Sequence, residues 1–247
     1  TCAMELSYKY IFELPNKTKL VLASGSIISF QSSYEHSAIV NAANEECLGG
    51  GGVDGAISLA GGQKLRNARE SLPKLPNSNI RCPTGEARLT GPDDFENLHV
   101  NHVIHAVGPR YYEFRRDEYN EADELLASAY RSSLKVAQDA EISEIAFSLL
   151  SAGVYRGNQT LEQVLRIGIK TMWEWAKCNI SGSSIESVVL CAYLDEELET
   201  LRSICYDFDL VFTSLDNAMD NGGEKGEIEV INKDNKYEIE VSNESLS

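Results

Sequence analysis

Two asparagines, a run of four glycines and an aspartate stand close together early in the chain, and a glycine run before a helix start suits binding of an anion. Asn41 and Asn44 follow an apolar run at 38–40, and Gly49–Gly52 leads directly to Asp54. Glycine permits positive φ and has no Cβ to block a ligand, so the N–H groups of such a loop can converge on an anion. The pattern predicts an anion-binding loop; a flexible glycine linker is the alternative interpretation.

A second glycine turn follows a later apolar segment. The run at 142–150 predicts a buried strand, and the segment 151–157 brings a glycine turn to the start of a helix. Thr160 and Gln163 have the spacing of a capping box for that helix. Helix starts leave N–H donors without partners, so this is a second candidate anion site.

Strands and helices alternate along the chain and must position these loops. Strands are predicted at 8–14, 19–28, 38–40, 100–109, 142–150, 185–194 and within 207–212, and helices at 56–72, at 122–139, from Thr160 onward and at 195–206. Such alternation predicts an α/β fold of three α/β/α layers with a mixed central sheet. In such sheets ligands bind at the carboxyl ends of strands, so both glycine loops should share one edge.

The C-terminal part of the chain differs in composition from the rest. Asn221-Gly222-Gly223 is typical of a linker, and apolar and polar residues alternate on either side of 232–235. We predict a domain at 1–213 and an acidic tail at 214–247 that is either flexible or a small hairpin.

Composition narrows the classes of function. Of 247 residues, 43% are hydrophobic, which is enough for a sizeable core. No run of about 18 apolar residues is present, so we expect no membrane span. The six cysteines are spread out without zinc-binding spacing. We expect no metal and no cofactor, a reducing cytoplasmic or nuclear location, no secretory signal and a monomer.

The net charge of −16 bears on the ligand. It disfavours nucleic acid, whose phosphates must be neutralised by the protein. An anionic ligand in the glycine loop remains compatible, because surface charge is screened over about 8 Å at physiological salt. Each hydrogen bond to a charged group contributes about 1.5–3 kcal/mol, so a few local N–H donors outweigh a diffuse acidic field.

The first loop resembles the macrodomain family. At 41–44 the sequence reads NAAN, and at 49–57 it reads GGGGVDGAI. Together they are similar to the distal-ribose and diphosphate loop of the MacroD-type subgroup, which hydrolyses ADP-ribosyl bonds. The stretches CPTGEA at 82–87 and VNHVIHAVGP at 100–109 are also similar to the family, as is the second loop. The resemblance covers roughly residues 20–208.

This resemblance implies roles for individual residues. Asn44 and Asp54 would be catalytic, with the aspartate placing or activating a water at the anomeric carbon. Tyr155 would pack near the distal ribose, and Tyr193 would stack on adenine. The residues implied to bind ADP-ribose are Ser26, Ile27, Gly50, Gly51, Gly52, Val53, Ser151, Gly153, Val154, Tyr155, Arg156 and Tyr193.

Several of these residues have a second interpretation. Ser26 stands where the family usually carries an aspartate that binds the adenine amino group, and an ordinary loop serine is equally consistent. Arg156 replaces a common glycine and is either a phosphate partner or solvated. Asp54 is alternatively a helix-start acid, and Tyr193 a core aromatic. His105, within an apolar strand, is interpreted as a core histidine.

The resemblance leads to a functional expectation. The chain should bind ADP-ribose and hydrolyse mono-ADP-ribosyl esters on acidic side chains of modified proteins, with O-acetyl-ADP-ribose as another substrate. A non-enzymatic reader of ADP-ribosylated proteins is the alternative. An RNA-binding macrodomain is disfavoured by the acidic body of the chain.

Overall fold

An eight-stranded mixed sheet organises the first of two compact units, Thr1–Asp216 and Asn217–Ser247. The computed structural model describes residues 4–214, 227–233 and 236–242. The strands of the sheet are β1 (Ser7–Glu13), β2 (Lys19–Ser24), β3 (Ser37–Ala42), β4 (Ala87–Thr90), β5 (His102–Ala106), β6 (Glu144–Ser148), β7 (Ser187–Ala192) and β8 (Val211–Ser214). Their spatial order is β4-β5-β3-β6-β7-β2-β1-β8, in which the five central strands are parallel.

Helices cover both faces of this sheet. They are α1 (Gly52–Glu70), α2 (Tyr119–Asp139), α3 (Leu161–Cys178) and α4 (Asp195–Asp207). The apolar sides of α2, α3 and α4 pack on one face, whereas α1 packs on the other. The expected three-layer α/β/α architecture is confirmed.

The central strands are apolar on both sides because both faces are covered. In β3, for example, Ala38 and Val40 point toward α2, α3 and α4, whereas Ile39 points toward α1. All three side chains are almost completely buried. This accounts for the continuous apolar runs from which the strands were predicted.

The second strand ends earlier than predicted. β2 stops at Ser24, and a short 3-10 turn covers Ile27–Ser29. Gly25 has φ of 132°, and its N–H donates to the Ala192 carbonyl over 2.8 Å. A Cβ at this position would lie 2.2 Å from the Glu5 carbonyl oxygen, so only glycine fits where the chain turns.

The break predicted near Gly61–Gly62 in the first helix is confirmed. Gly62 has φ of 54° and ψ of −148°, which divides α1 into two segments. The carboxylate of Glu96 accepts the Gln63 N–H over 2.8 Å and so caps the second segment. The predicted capping box of Thr160 and Gln163 at the start of α3 is also present.

In the second unit, the described residues form an antiparallel pair of strands, β9 (Glu227–Lys233) and β10 (Lys236–Ser242). Both strands of the predicted hairpin are therefore present. The domain boundary after residue 213 and the flexible tail stay predictions, and the linker at 221–223 lies outside the described residues. No helix in the described part of the chain is long and apolar enough to cross a membrane.

Candidate functional site

Four neighbouring strands deliver the predicted site residues to one edge of the sheet. β3, β6, β7 and β2 are adjacent and parallel, and they end at Ala42, Ser148, Ala192 and Ser24. Neighbouring strands lie about 4.8 Å apart, so the four ends span about 14 Å. The expectation that both glycine loops share this edge is confirmed.

The side chain of Asn44 closes the first loop. Its Nδ2 donates to the Gly49 carbonyl over 2.8 Å, and its Oδ1 accepts the Cys47 N–H over 3.2 Å. Cys47 has φ of 56°, and this amide stabilises the turn there. An asparagine amide has two hydrogens and two lone pairs, so each end retains capacity for a ribose hydroxyl.

The glycines that follow leave the backbone open. A Cβ on Gly51 or Gly52 would meet no atom within 4 Å. Gly51 is the N-cap residue of α1, so the first N–H groups of the helix, including that of Val53, have no intrahelical acceptor. The positive end of the helix dipole lies at the same place. The predicted sequence of strand, glycine loop and helix start is confirmed, and its binding of an anion stays a prediction.

Asp54 lies under this loop, and its two carboxylate oxygens have different surroundings. Oδ1 accepts from Arg69 Nη2 over 2.7 Å and from Asn41 Nδ2 over 2.8 Å. Oδ2 is buried and has no hydrogen-bond partner among the described residues. A Cβ on Gly50 would lie 3.0 Å from this Oδ2 and 3.3 Å from Asn44 Nδ2. The unpaired oxygen and the asparagine amide therefore flank the same glycine.

Arg69 is the residue that sequence reasoning missed. It is 15 residues from Asp54, and in a continuous helix this separation would be about 22 Å. The break at Gly62 turns the second segment of α1, so the two side chains meet in a buried ion pair. Asp54 is therefore more than a helix-start acid, since its charge has a fixed partner.

The spacing of Arg69 from Leu65 is one sequence signal that could have predicted a buried arginine. The residue comes four positions after Leu65, and residues four apart lie on the same face of a helix. Leu65 is fully buried in the core between α1 and the sheet. An arginine that continues a buried stripe needs an acidic partner, because charged side chains are almost never buried unpaired.

A neutral histidine extends the buried network. Asn41 Nδ2 lies 3.2 Å from His105 Nδ1, and Thr90 Oγ1 lies 3.0 Å from His105 Nε2. The amide nitrogen only donates, so Nδ1 accepts and Nε2 carries the proton. Burial and the nearby Arg69 charge hold the pKa of His105 well below its usual value. The interpretation of His105 as a core histidine is confirmed.

The second loop is held by a hydroxyl rather than by charges. Ser151 has φ of 55°, and its buried Oγ donates to the Pro109 carbonyl over 2.8 Å. A Cβ on Gly153 would meet nothing within 4 Å, and Val154, which follows it, is 85% exposed. Val154–Arg156 forms a 3-10 turn whose first N–H groups have no acceptor within the turn.

Aromatic and arginine side chains surround this turn. The Tyr155 ring meets the Tyr112 ring edge-on with centroids 6.5 Å apart, and the Arg110 guanidinium lies 5.1 Å from the Tyr155 ring centroid. Arg156 Nη1 lies 3.4 Å from the Gln159 carbonyl oxygen, within its own turn. Arg156 Nε is buried with no partner in the described part of the chain.

The residues implied to bind adenine follow β7 and β2, at the far side of this row of strand ends from the first glycine loop. The Gly25 N–H donates to the Ala192 carbonyl, which joins the residues directly before Ser26 and Tyr193. Ile27 is buried beneath Ser26. Tyr193 is 64% exposed, so its interpretation as a core aromatic is wrong. The Tyr193 N–H donates to Glu197 at the start of α4, which fixes the backbone beneath the exposed ring.

A cavity of about 530 Å³ lies at the opposite edge of the sheet. Tyr34, Glu35, Asp93 and His99 are among its lining residues, and none of the predicted site residues is. Its carboxylates disfavour an anionic ligand. At the predicted site, Gly50, Gly51 and Gly52 are exposed.

The predicted residues thus form three groups along one edge. Asn44, Asp54 and the glycine loop form the first, the turn from Gly153 to Arg156 forms the second, and Ser26, Ile27 and Tyr193 form the third. The Ser151 hydroxyl is the exception, because it is bonded to Pro109 inside the loop. Whether Ser151 contributes to ligand binding stays a prediction, and the structure shows only that its Oγ donates to the Pro109 carbonyl.

Comparisons with known proteins agree with this geometry. The model of the Macro domain family matches residues 40–166. A macro domain-containing protein of Caldanaerobacter subterraneus is 38% identical over 193 residues, covering 78% of this chain and 99% of that protein. One from Xanthomonas axonopodis is 43% identical over 155 residues, covering 63% of this chain and 79% of that protein.

A solved structure shares the fold as well. The Oceanobacillus iheyensis macrodomain with ADP superposes with a TM-score of 0.66 at 26% identity, covering 84% of this chain and 98% of that one. The family model spans both glycine loops, the second half of β3 and the whole of β6. On these matches in sequence and structure, the chain belongs to the Macro domain family.

Proposed function

We propose that this chain binds ADP-ribose and hydrolyses the ester that joins ADP-ribose to an acidic side chain of a modified protein. O-acetyl-ADP-ribose carries the same ester chemistry and is a second proposed substrate. One observation carries the proposal: the unpaired Oδ2 of Asp54 and the amide of Asn44 flank Gly50 in an open loop. The macrodomain solved with ADP supports the nucleotide part.

The order of the strands supports the ligand assignment. ADP-ribose has adenine at one end, a ribose with a free anomeric carbon at the other and a diphosphate between them. β2 and β7 carry Ser26 and Tyr193, β6 carries the turn after Gly153, and β3 carries the loop with Asn44 and Asp54. The adenine, diphosphate and distal-ribose residues therefore follow each other in the order of the ligand.

The diphosphate would be bound mainly by backbone groups. The first N–H groups of α1 and of the 3-10 turn have no acceptor within their own helix, and a Cβ on Gly51, Gly52 or Gly153 would meet no atom within 4 Å. Each hydrogen bond to a charged group contributes about 1.5–3 kcal/mol. These donors act at contact distance, whereas the acidic surface is screened beyond about 8 Å.

The ester would be cleaved by water at the anomeric carbon. The water oxygen bonds to that carbon, and the bond from the carbon to the carboxyl oxygen breaks. The protein carboxylate leaves with the electron pair, and the water proton passes to it or to a diphosphate oxygen. Asp54 Oδ2 accepts a hydrogen bond from this water or from a ribose hydroxyl, and Asn44 orients the ribose. Catalysis would thus depend on positioning and electrostatics.

The test compares release of ADP-ribose by the wild type and by Asp54→Asn. The substrate is a protein mono-ADP-ribosylated on acidic residues. Asparagine retains an oxygen for Arg69 and Asn41 but puts a donor where Oδ2 accepts. We expect kcat to fall on the order of 10²–10³, as when one preorganised group is removed from an active site. Calorimetry with free ADP-ribose measures binding separately.

A matched control is Asp93→Asn, at the opposite edge of the sheet, which should leave turnover unchanged. A wild type that binds ADP-ribose yet releases none would be a reader instead of a hydrolase. A wild type that gives no heat signal with millimolar ADP-ribose would overturn the proposal altogether.

A further inference from the structure

We infer that Arg69 is a positioning residue, which fixes the carboxylate of Asp54 so that one oxygen is occupied and the other faces the glycine loop. The inference rests on the proposed function, because it assigns Asp54 a role in the site. Arg69 has no place among the residues predicted from the sequence. It lies on the second segment of α1, beyond the break at Gly62.

The contacts of Arg69 converge from three parts of the site. Nη2 donates to Asp54 Oδ1 over 2.7 Å, Nη1 donates to Ser58 Oγ over 2.8 Å, and Nε donates to the Cys47 carbonyl. Arg69 is 1% exposed. Its guanidinium therefore bonds to the helix start, to the next turn of the helix and to the loop that contains Asn44.

These contacts determine which oxygen of Asp54 is available. Oδ1 accepts two hydrogen bonds, one from Arg69 and one from Asn41, whereas Oδ2 accepts none among the described residues. Rotation of the carboxylate would break both bonds to Oδ1, and the bond to Arg69 is a strong charge-assisted one. Oδ2 is thereby kept beside Gly50 with no hydrogen-bond donor among the described residues.

Arg69 also connects the carboxylate to the loop. Ser58 Oγ donates to the Asp54 carbonyl over 2.7 Å while it accepts from Arg69. The Cys47 carbonyl belongs to the turn that the Asn44 amide closes. Asn44 and Asp54 are therefore held relative to each other through one buried side chain.

Arginine suits this position because its planar guanidinium offers donors in a rigid fork. A lysine would keep the charge but has a single nitrogen. It cannot reproduce bonds from Nε, Nη1 and Nη2 together. Arg69→Lys is thus the informative substitution, since it keeps Asp54 paired with a cation and loosens its orientation.

The experiment is a double-mutant cycle on the whole chain, using wild type, Arg69→Lys, Asp54→Asn and the double variant. Calorimetry gives Kd for ADP-ribose, single-turnover and steady-state assays give kcat, and thermal unfolding checks that each variant is folded. We expect Arg69→Lys to weaken ADP-ribose about threefold to tenfold and to lower kcat about tenfold. The double variant should match Asp54→Asn within about twofold, because residues that act through one another are not additive.

Arg66→Gln is the matched control. Arg66 lies on the same helical segment and pairs with Glu70 at the surface, so its effects should be negligible. If the fold-changes of Arg69→Lys and Asp54→Asn multiply in the double variant, the role of Arg69 is overturned while the proposed function stands. Wild-type values for Arg69→Lys would do the same. No ADP-ribose binding by the wild type would overturn both.

Discussion

The two glycine loops have similar proposed roles, but different contacts support them. The first, Gly49–Gly52, lies over a buried network of Asp54, Arg69 and Asn41. The second, at 151–157, is held by the side-chain hydrogen bond of Ser151, by backbone bonds within its 3-10 turn and by ring contacts of Tyr155. Both contain N–H groups without an acceptor in their own helix, but of the two loops only the first lies beside an unpaired carboxylate oxygen.

This difference in support matches the proposed roles of the two loops, which are diphosphate binding for the second and ester hydrolysis for the first. A diphosphate needs donors in roughly the right place, which a 3-10 turn with unpaired N–H groups can supply. A water at a reacting carbon must be held in line, and misplacement by about 1 Å can cost on the order of 100-fold in rate. The more rigid support therefore lies where the proposed reaction takes place.

The largest expected effect is on the first loop. Arg69→Met leaves the Asp54 carboxylate buried without its cation, and breaking a buried pair in this way costs about 3–5 kcal/mol. We expect this loss in the free energy of unfolding, measured with urea.

Removing the charge of Asp54 as well tests whether the unpaired carboxylate causes the loss of stability. Arg69→Met combined with Asp54→Asn should be less destabilised than Arg69→Met alone, because no unpaired charge remains. Arg66→Gln, which breaks an exposed pair with Glu70, should stay within about 0.5 kcal/mol of the wild type. A loss this small for Arg69→Met would show that the network does not hold the loop.

Gly55 lies under the first loop and has the next largest expected effect. A Cβ there would lie 2.8 Å from the Gly50 carbonyl oxygen, so Gly55→Ala must shift the loop. Alanine normally stabilises a helix by about 1 kcal/mol, but overpacking costs about 1–3 kcal/mol. We expect a net loss in urea unfolding and weaker ADP-ribose binding. Gly51→Ala, which points into open space, should leave the fold unchanged; equal stability losses would contradict the contact.

The buried histidine makes stability depend on pH. The pKa of His105 is lowered from its ordinary value of 6.5, chiefly by burial. As pH falls below about 6.5, the unfolded chain takes up a proton that the folded chain cannot. Stability present above that pH is then lost at up to about 1.4 kcal/mol per pH unit. Urea unfolding between pH 7.5 and 5 measures the slope.

His105→Gln should reduce this slope, whereas a substitution at the exposed His99 should change it less. An unchanged slope in His105→Gln would assign the dependence to other groups.

The second loop gives the smallest expected effect. Ser151→Ala removes one neutral hydrogen bond and should cost about 1 kcal/mol. We expect ADP-ribose affinity to fall only a few-fold and kcat to stay near wild type. A loss of kcat as large as that of Asp54→Asn would remove the distinction between the two loops.

Most of the fold could be predicted from the sequence. The apolar runs at 38–40 and 142–150 became β3 and β6, and Thr160 with Gln163 capped α3 as expected. The end of β2 was predicted too late because Gly25 turns for a tertiary reason: its missing Cβ lets the Glu5 carbonyl approach. The pattern of residues around Gly25 does not reveal a contact with a residue as far along the chain as Glu5.

The candidate site also has features that the sequence predicts and features that only the fold decides. The residue types of the first loop and its position after a strand were readable from 41–54 alone, because glycine conformation and helix starts are local properties. The sequence by itself therefore determined the family and the loops that face the proposed ligand. It also left Tyr193 open between surface and core, which only burial in the folded chain decided.

Only the tertiary structure decided what lies beneath the loop. Asp54 and Arg69 are 15 residues apart, and they meet because α1 breaks at Gly62 and folds its second segment back. Asn41, His105 and Thr90 join them from three different strands. Which oxygen of the Asp54 carboxylate stays unpaired depends on the donors that bind the other oxygen. Those donors, Arg69 and Asn41, come from distant parts of the chain and meet only in the packed fold.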